Sequence, residues 1–388
     1  MRRRSLFAIL FALALVVTAC EANGDDAADP EDAAADDPDT DEPDDEPDAD
    51  PDPDDEAEPE EPDTDADETD AEDAEMESLT FLLDTSVLPK HAIFFAAEGM
   101  GFYEDVGLDV EILPSSGSYD TSIAVGSGEA EFGFADFGTM AMAVAEGADV
   151  VQLASIHAES PFAVVTMADS DIETWDDLEG KTIAGEPAGS TTILFPVALE
   201  MAGLSEDDVQ IEHVDPTAKI PGMLAGQWDA SLAYFVSDPA VMIGMGEEPH
   251  SLLWSEVGFE LYSNGLITTS EMIDENPDVV ERFVDATVRA VHWACDNPEE
   301  AGANLIDLAP QISQIAAEAG VDLACGIVWT PEAEENGLGY MTEDGAENVL
   351  DITQEYLELE TDFDVGDLYT NDFNPGVLAD DTVEAPGS

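Results

Sequence analysis

The chain has 388 residues, of which 93 are Asp or Glu and only 8 are Lys or Arg, a formal net charge of −85. A charge of that size excludes nucleic acid and anionic membrane surfaces as electrostatic partners. Its self-repulsion is screened by salt, so the composition reads as the surface of a protein from a high-salt habitat.

The N-terminus reads as an address. Met1–Arg4 is positively charged, Leu6–Val17 is apolar, and Val17-Thr18-Ala19-Cys20 closes the segment. This is the order of a secretory signal peptide, and the apolar run is too short to span a membrane comfortably. A Cys after small residues resembles a bacterial lipoprotein processing site, where Cys20 becomes the lipidated N-terminus. Arg3-Arg4 also fits a loose twin-arginine pattern. Residues 21–77 are a mixture of Asp, Glu, Pro and Ala with almost nothing to bury, which predicts a disordered, extended tether. Residues 21–80 hold 32 of the acids and no base, leaving 61 acids and five bases for residues 81–388. The acidity therefore belongs to the folded body as well.

That body alternates strands with helices. Leu79–Leu83 reads as a strand, Ala92–Tyr103 as a helix ending near Gly99 and Gly101, and Leu108–Leu113 as a strand. Thr121–Val125 is helical, Phe132–Ala135 a strand, Gly138–Glu146 helical, and Val150–Ser155 and Phe162–Met167 are strands. The rhythm continues with a strand at Thr182–Ala184, a helix at Ser190–Met201 and a strand at Val209–His213. A short helix at Ile220–Ala225 and strands at Ala230–Phe235 and Ser251–Trp254 follow. Beyond Leu266 the chain reads as largely helical, with Pro277–Ala294 the clearest amphipathic segment and Glu347–Leu357 another. Strands alternating with helices predict α/β architecture with mainly parallel sheets. The division is two lobes, 78–166 plus 265–375 and 167–264, with 376–388 as a disordered tail. A chain that leaves a lobe and returns crosses twice, which makes a two-strand hinge. Ligands of such sheets sit at the carboxyl ends of strands and at the helix N-termini that follow, and two facing lobes can close like a trap.

Several segments carry a family resemblance. Lys90-His91-Ala92-Ile93-Phe94-Phe95-Ala96-Ala97-Glu98, then Gly101-Phe102-Tyr103-Glu104-Asp105-Val106-Gly107-Leu108-Asp109-Val110, resemble the opening of one group of periplasmic binding proteins. This is the nitrate/sulfonate/taurine type, with relatives that bind pyrimidine precursors of thiamine. Ser127–Asp136, Asp177-Leu178-Glu179-Gly180-Lys181-Thr182-Ile183 and Leu224-Ala225-Gly226-Gln227-Trp228-Asp229-Ala230 resemble later family segments. The resemblance covers nearly all of residues 79–375. It implies a two-lobe type II periplasmic-binding fold, a small-molecule ligand, and delivery to an ABC permease and its ATPase. A binding protein that feeds a sensor is the alternative. The expected protein is an extracytoplasmic monomer that touches the membrane only through its lipid and needs no cofactor. Synthases on this fold that make the pyrimidine precursor carry a cysteine cluster not visible here, so an enzyme is not expected.

Candidate ligand contacts follow from family position and from the strand-end rule. Asp84 ends the first strand, where a carboxylate can accept from a ligand N–H, and His91 opens the first helix. Ser116, Gly117 and Ser118 precede a helix, where hydroxyls and backbone N–H groups can cradle a polar group. Asp136, Phe137 and Thr139 follow a strand, and a ring beside a carboxylate suits a flat heterocycle with N–H donors. In lobe two, Glu186, Ser190, Thr191 and Thr192 occupy the equivalent loop, and Tyr234 and Asp238 follow another strand. Each also has a plain structural role available, as helix cap, turn or core residue. Scarce cations and several carboxylates tilt the ligand toward a neutral or cationic heterocycle, with a thiamine-precursor pyrimidine leading. Cys295 and Cys325 form an even pair in an exported chain, which allows a disulfide. The five His are scattered, and no metal-ligand spacing is present.

Overall fold

In the computed structural model the described residues are 76–187, 190–356, 359 and 363–386. The signal segment, Cys20 and the acidic stretch up to residue 75 lie outside them. No helix among the described residues is long and apolar enough to cross a membrane. The strands are β1 (Glu77–Leu82), β2 (Leu108–Leu113), β3 (Phe132–Asp136), β4 (Val151–Ser155) and β5 (Phe162–Met167). They continue as β6 (Thr182–Gly185), β7 (Gln210–His213), β8 (Ala230–Tyr234), β9 (Pro249–Leu253) and β10 (Asn264–Thr268). The helices of the first half are α1 (Ala92–Gly99), α2 (Phe102–Asp105), α3 (Ser118–Gly126), α4 (Phe137–Ala145), α5 (Ser190–Met201), α6 (Lys219–Leu224) and α7 (Asp238–Gly244). Those of the second are α8 (Ser270–Glu275), α9 (Pro277–Asp296), α10 (Pro298–Leu308), α11 (Gln314–Cys325), α12 (Pro331–Asn336) and α13 (Glu343–Tyr356).

Two five-stranded sheets organise these elements, ordered β2-β1-β3-β10-β4 in lobe one and β7-β6-β8-β5-β9 in lobe two. The two orders are the same pattern used twice. In each sheet four strands point the same way, and the fifth (β10 or β5) inserts antiparallel between its neighbours. The sheets are mixed rather than purely parallel, because the strand that follows each hinge crossing enters its sheet from the opposite end.

The lobe boundary also differs from the sequence expectation. β5 lies in the lobe-two sheet between β8 and β9, so the first crossing is residues 156–161 rather than a point after 166. The second crossing, residues 258–263, ends as β10 enters the lobe-one sheet. β10 itself, which straddles the start of the stretch read as helical beyond Leu266, was not read as a strand, because five residues entirely buried on both faces show no alternation. The two crossings are tied together: Ser263 N–H donates to the His157 carbonyl at 3.0 Å, and His157 N–H to that of Asn264 at 2.8 Å.

Two smaller differences follow the same logic. The helix expected from Ala92 ends at Gly99, within the Gly99–Gly101 stretch where the sequence placed its end, and the added feature is a second short helix from Phe102 after Gly101 adopts φ +78°, a left-handed conformation that glycine takes without steric cost. The segment expected as a disordered tail is anchored to the body at two points, Val377 and Ala385. Both join the lobe-one core, and the Val377 carbonyl accepts from Leu338 N–H at 2.8 Å. Cys295 and Cys325 are disulfide-bonded with Cα atoms 5.5 Å apart.

The lobe-one core centres on α9, which begins with Pro277 at its first turn, where no intrahelical N–H is needed. Phe283 of α9 is fully buried, stacks on Phe132 at 3.8 Å between centroids and meets Phe81 edge-on at 5.3 Å. Phe283→Ala is expected to cost about 3–5 kcal/mol of stability, read as a lowered denaturant midpoint at high salt with an unchanged slope. A loss under about 1 kcal/mol would show that this ring does not organise the core.

Candidate functional site

The carboxyl ends of β1, β3, β6 and β8 face the hinge from both lobes, and each delivers a polar side chain. Asp84 lies two residues beyond β1. Its Oδ2 accepts from Lys90 Nζ at 2.6 Å and Asn264 Nδ2 at 3.0 Å, and its Oδ1 from His91 Nε2 at 2.8 Å. The tautomer of His91 follows from its other nitrogen: Nδ1 lies 3.0 Å from Leu88 N–H, which can only donate. The proton therefore sits on Nε2 and the ring is neutral, in keeping with burial, which pushes its pKa down against the opposing pull of Asp84. For Asp84, burial by itself would raise the pKa. The Lys90 ammonium and the His91 bond outweigh it and hold the carboxyl well below the usual range.

This arrangement corrects the reading of His91. The ring is fully buried with both nitrogens engaged, so it positions Asp84 rather than meeting a solute. Asp84 itself is nearly buried and holds three donors. The strand and loop sequence showed the carboxylate but not the partners that occupy it.

Asp136 ends β3 and caps α4. Its Oδ1 accepts from the N–H of Thr139 at 2.9 Å and from its hydroxyl at 2.8 Å, while Oδ2 accepts from Ser263 Oγ at 3.1 Å. The cap is thus real, and the half-buried carboxylate still borders the space between the lobes. Phe137, expected beside it as a stacking ring, is fully buried in the core. It follows the cap, and the first turn of α4 rotates it inward. Ser118 Oγ accepts from Asp136 N–H at 3.1 Å, which leaves the Ser118 hydroxyl proton available to a further acceptor. Ser116 is exposed and Gly117 half-buried on the same loop.

In lobe two, Lys219 is buried and its ammonium sits 2.9 Å from Glu186 Oε1, 3.1 Å from Asp238 Oδ2 and 3.1 Å from the Leu232 carbonyl. Burial would lower its pKa, but Asp238 and Glu186 outweigh that and raise it. Burial in turn raises Asp238, with Lys219 opposing. Ser190 Oγ and the Tyr234 hydroxyl hydrogen-bond at 2.8 Å. Burial pushes the Tyr234 phenol up, and the charges of Asp136, Asp84 and Glu186 push it further. That one hydroxyl feels carboxylates of both lobes, although the residue remains 36 % exposed. Thr191 is buried, and Thr192 is half-buried with an unpartnered, buried hydroxyl oxygen.

Asp136, Thr139 and Ser190 line a single inter-lobe void together with Ser160, Phe162, Tyr262 and Ser263. The void is about 30 Å³, room for one or two waters, so a larger occupant needs the lobes to part. The last four residues, and Asn264, were not singled out from sequence. They lie on the hinge crossings and their flanks, and only the mixed sheet order brings those to the strand ends.

A scan of family models matches residues 88–301 to the model described as NMT1/THI5 like. That stretch exceeds half of the chain. The chain belongs to the NMT1/THI5-like family. Among its relatives, the riboflavin-binding protein RibY of Chloroflexus aurantiacus is 26 % identical over 73 % of this chain and 80 % of its own length. The 4-amino-5-hydroxymethyl-2-methylpyrimidine phosphate synthase THI11 of Saccharomyces cerevisiae is 24 % identical over 61 % of this chain and 73 % of its own. The periplasmic aliphatic sulphonate binding protein SsuA of Escherichia coli superposes with a TM-score of 0.57 at 16 % identity, covering 75 % of this chain and 96 % of its own. The fold is that of the periplasmic binding proteins.

His157, on the first crossing, gives the site a pH signature. Its ring is buried against Phe134, with centroids 5.1 Å apart. Its pKa is pushed down to about 3 by burial, then by the Lys90 charge, with Asp84 opposing. An unfolded His titrates near 6.5, so between about pH 6.5 and 3 the unfolded chain binds more protons. The stability contributed by neutral His157 is complete above that window and is lost as pH falls through it. The stability difference between wild type and His157→Gln should therefore shrink on acidification from pH 7 to 4 in denaturant titrations at constant salt. A difference that stays flat would refute the buried neutral ring.

Proposed function

We propose that this chain is an extracytoplasmic solute-binding protein that closes its lobes over a neutral or cationic nitrogen heterocycle. In this reading Cys20 carries a lipid, the acidic stretch tethers the body to the membrane, and the captured solute passes to an ABC permease and its ATPase. The observation that carries the ligand class is one of charge. All five Lys and Arg among the described residues stand within 4 Å of a carboxylate. Those nearest the cleft, Lys90 and Lys219, are buried and already neutralised. Asp136 adds a further negative charge, and Glu186 and Asp238 together outnumber Lys219. An anionic solute would be brought beside uncompensated carboxylates at reduced dielectric, where repulsion is strong. A heterocycle with N–H donors would instead meet acceptors. The riboflavin-binding relative supports a flat heterocycle, and a pyrimidine is a small member of that class.

The test is a thermal-shift screen of the exported protein at high salt, with pyrimidines, thiamine, riboflavin, taurine, alkanesulfonates and nitrate. A solute that binds only the native state raises stability by about 2.7 kcal/mol at a hundredfold excess over its dissociation constant. A shift with pyrimidines or riboflavin is expected. A shift with sulfonates or nitrate alone would overturn the ligand class. For a solute that shifts, Asp136→Asn keeps an oxygen to cap α4 but removes the charge. It is expected to weaken binding about tenfold or more, roughly 1.4 kcal/mol, with the unliganded melting point nearly unchanged. Equal affinity in the folded variant would remove Asp136 from the site.

A further inference from the structure

Helix α11 belongs to lobe one, yet lobe two rests on it. Phe235 and Val236, just beyond β8, share an apolar cluster with Ala324 and Ile327. Along the same helix, a Cβ built on Gly244 of α7 would stand 2.6 Å from Ala316 Cβ and 3.1 Å from Ser313 Oγ. Only a hydrogen there lets α7 lie this close. On its lobe-one side, Gly320 of α11 meets Pro89 as closely, with a built Cβ 2.5 Å from the proline Cβ. Immediately after α11, the Ile327 carbonyl accepts two hydrogen bonds from the first hinge crossing, from Ala158 N–H at 2.9 Å and Glu159 N–H at 3.1 Å. The end of α11 thus holds a hinge strand by its backbone and lobe two by its side chains.

Cys325 is the last residue of α11, two positions before Ile327, and it is bonded to Cys295 on α9. We propose that the Cys295–Cys325 bridge anchors an inter-lobe clasp: it pins the end of α11 to lobe one so that the hinge crossing and lobe two are held there. Its effect is then on how readily the cleft opens. This differs from the usual action of a disulfide, which restricts the unfolded chain and strengthens the whole fold. The clasp rests on the two-lobe reading of the cleft but involves no solute.

The two roles separate in hydrogen exchange, because local opening and global unfolding expose different amides. The bridge is removed in two ways at high salt. Folded wild-type protein is reduced with dithiothreitol, which gives two electrons and two protons to form both thiols and closes to its own cyclic disulfide. Separately, the Cys295→Ala/Cys325→Ala variant is prepared, and reduction of prefolded protein covers the case in which that variant fails to fold. Exchange at Ala158 and Glu159 is expected to accelerate about tenfold or more. Protection of the β1 and β3 amides at the centre of lobe one should persist. Equal acceleration across lobe one would assign the bridge to the fold alone and overturn the clasp, as would unchanged exchange at Ala158 and Glu159. A blank solute screen leaves this result standing, and failure of the clasp leaves the binding-protein reading intact.

Discussion

The buried carboxylate of Asp84 is the constraint on which the lobe-one wall of the cleft depends. A lone buried charge costs several kcal/mol, so the fold must bring partners to it. Three arrive: Lys90 and His91 from the turn ahead of α1, and Asn264 from the first residue of β10. Asn264 links onward, since Ser263 Oγ lies 3.0 Å from its Oδ1 and 3.1 Å from Asp136 Oδ2. One polar chain therefore runs from the end of β1, through the hinge exit, to the end of β3. The hinge and the two carboxylates of lobe one cannot rearrange independently.

Charge scarcity shapes the rest. Five bases serve 61 acids in residues 81–388, and the buried ones sit where carboxylates crowd the strand ends. Lys90 serves Asp84, and Lys219 serves Glu186 and Asp238. Each lobe thus places one ammonium under its half of the cleft, close to the carboxylates that follow β1 in lobe one and β6 in lobe two. Both ammonium groups are engaged by the carboxylates they neutralise. On the surface the remaining acids repel one another, a repulsion that salt screens within about 8 to 10 Å at moderate ionic strength.

The hydrophobic cores show how the two lobes are joined. One cluster lies wholly in lobe one around Phe81, Phe94 and Phe283. A second runs from Phe137 and Val349 through the crossing residues Leu261 and Tyr262 to Phe162 and Trp254 in lobe two. Tyr262 is fixed on both sides of its hydroxyl, which accepts from Thr342 N–H at 3.0 Å and meets Thr342 Oγ1 at 3.1 Å. Apolar continuity through the crossings leaves few residues free to absorb a change in backbone angle.

The sequence by itself determined the α/β alternation, the two-lobe plan and the strand ends at which polar side chains gather. Those features are local: period, turn residues and motif spacing each act over a few residues. Asp136, Thr139, Ser190 and Tyr234 could be singled out as candidates for that reason, since each sits at or beside a strand-to-helix junction. The tertiary structure decided what local pattern cannot carry. A fully buried strand such as β10 shows no alternation, so its place, and with it Ser263 and Asn264, emerged only from pairing with β3 and β4. Phe137 and His91 sit at equally suggestive positions, yet burial against neighbours distant in sequence turned one into core and the other into a support for Asp84. Whether a side chain at a strand end faces the cleft or the core depends on which elements pack over it, and that is a property of the assembled lobes.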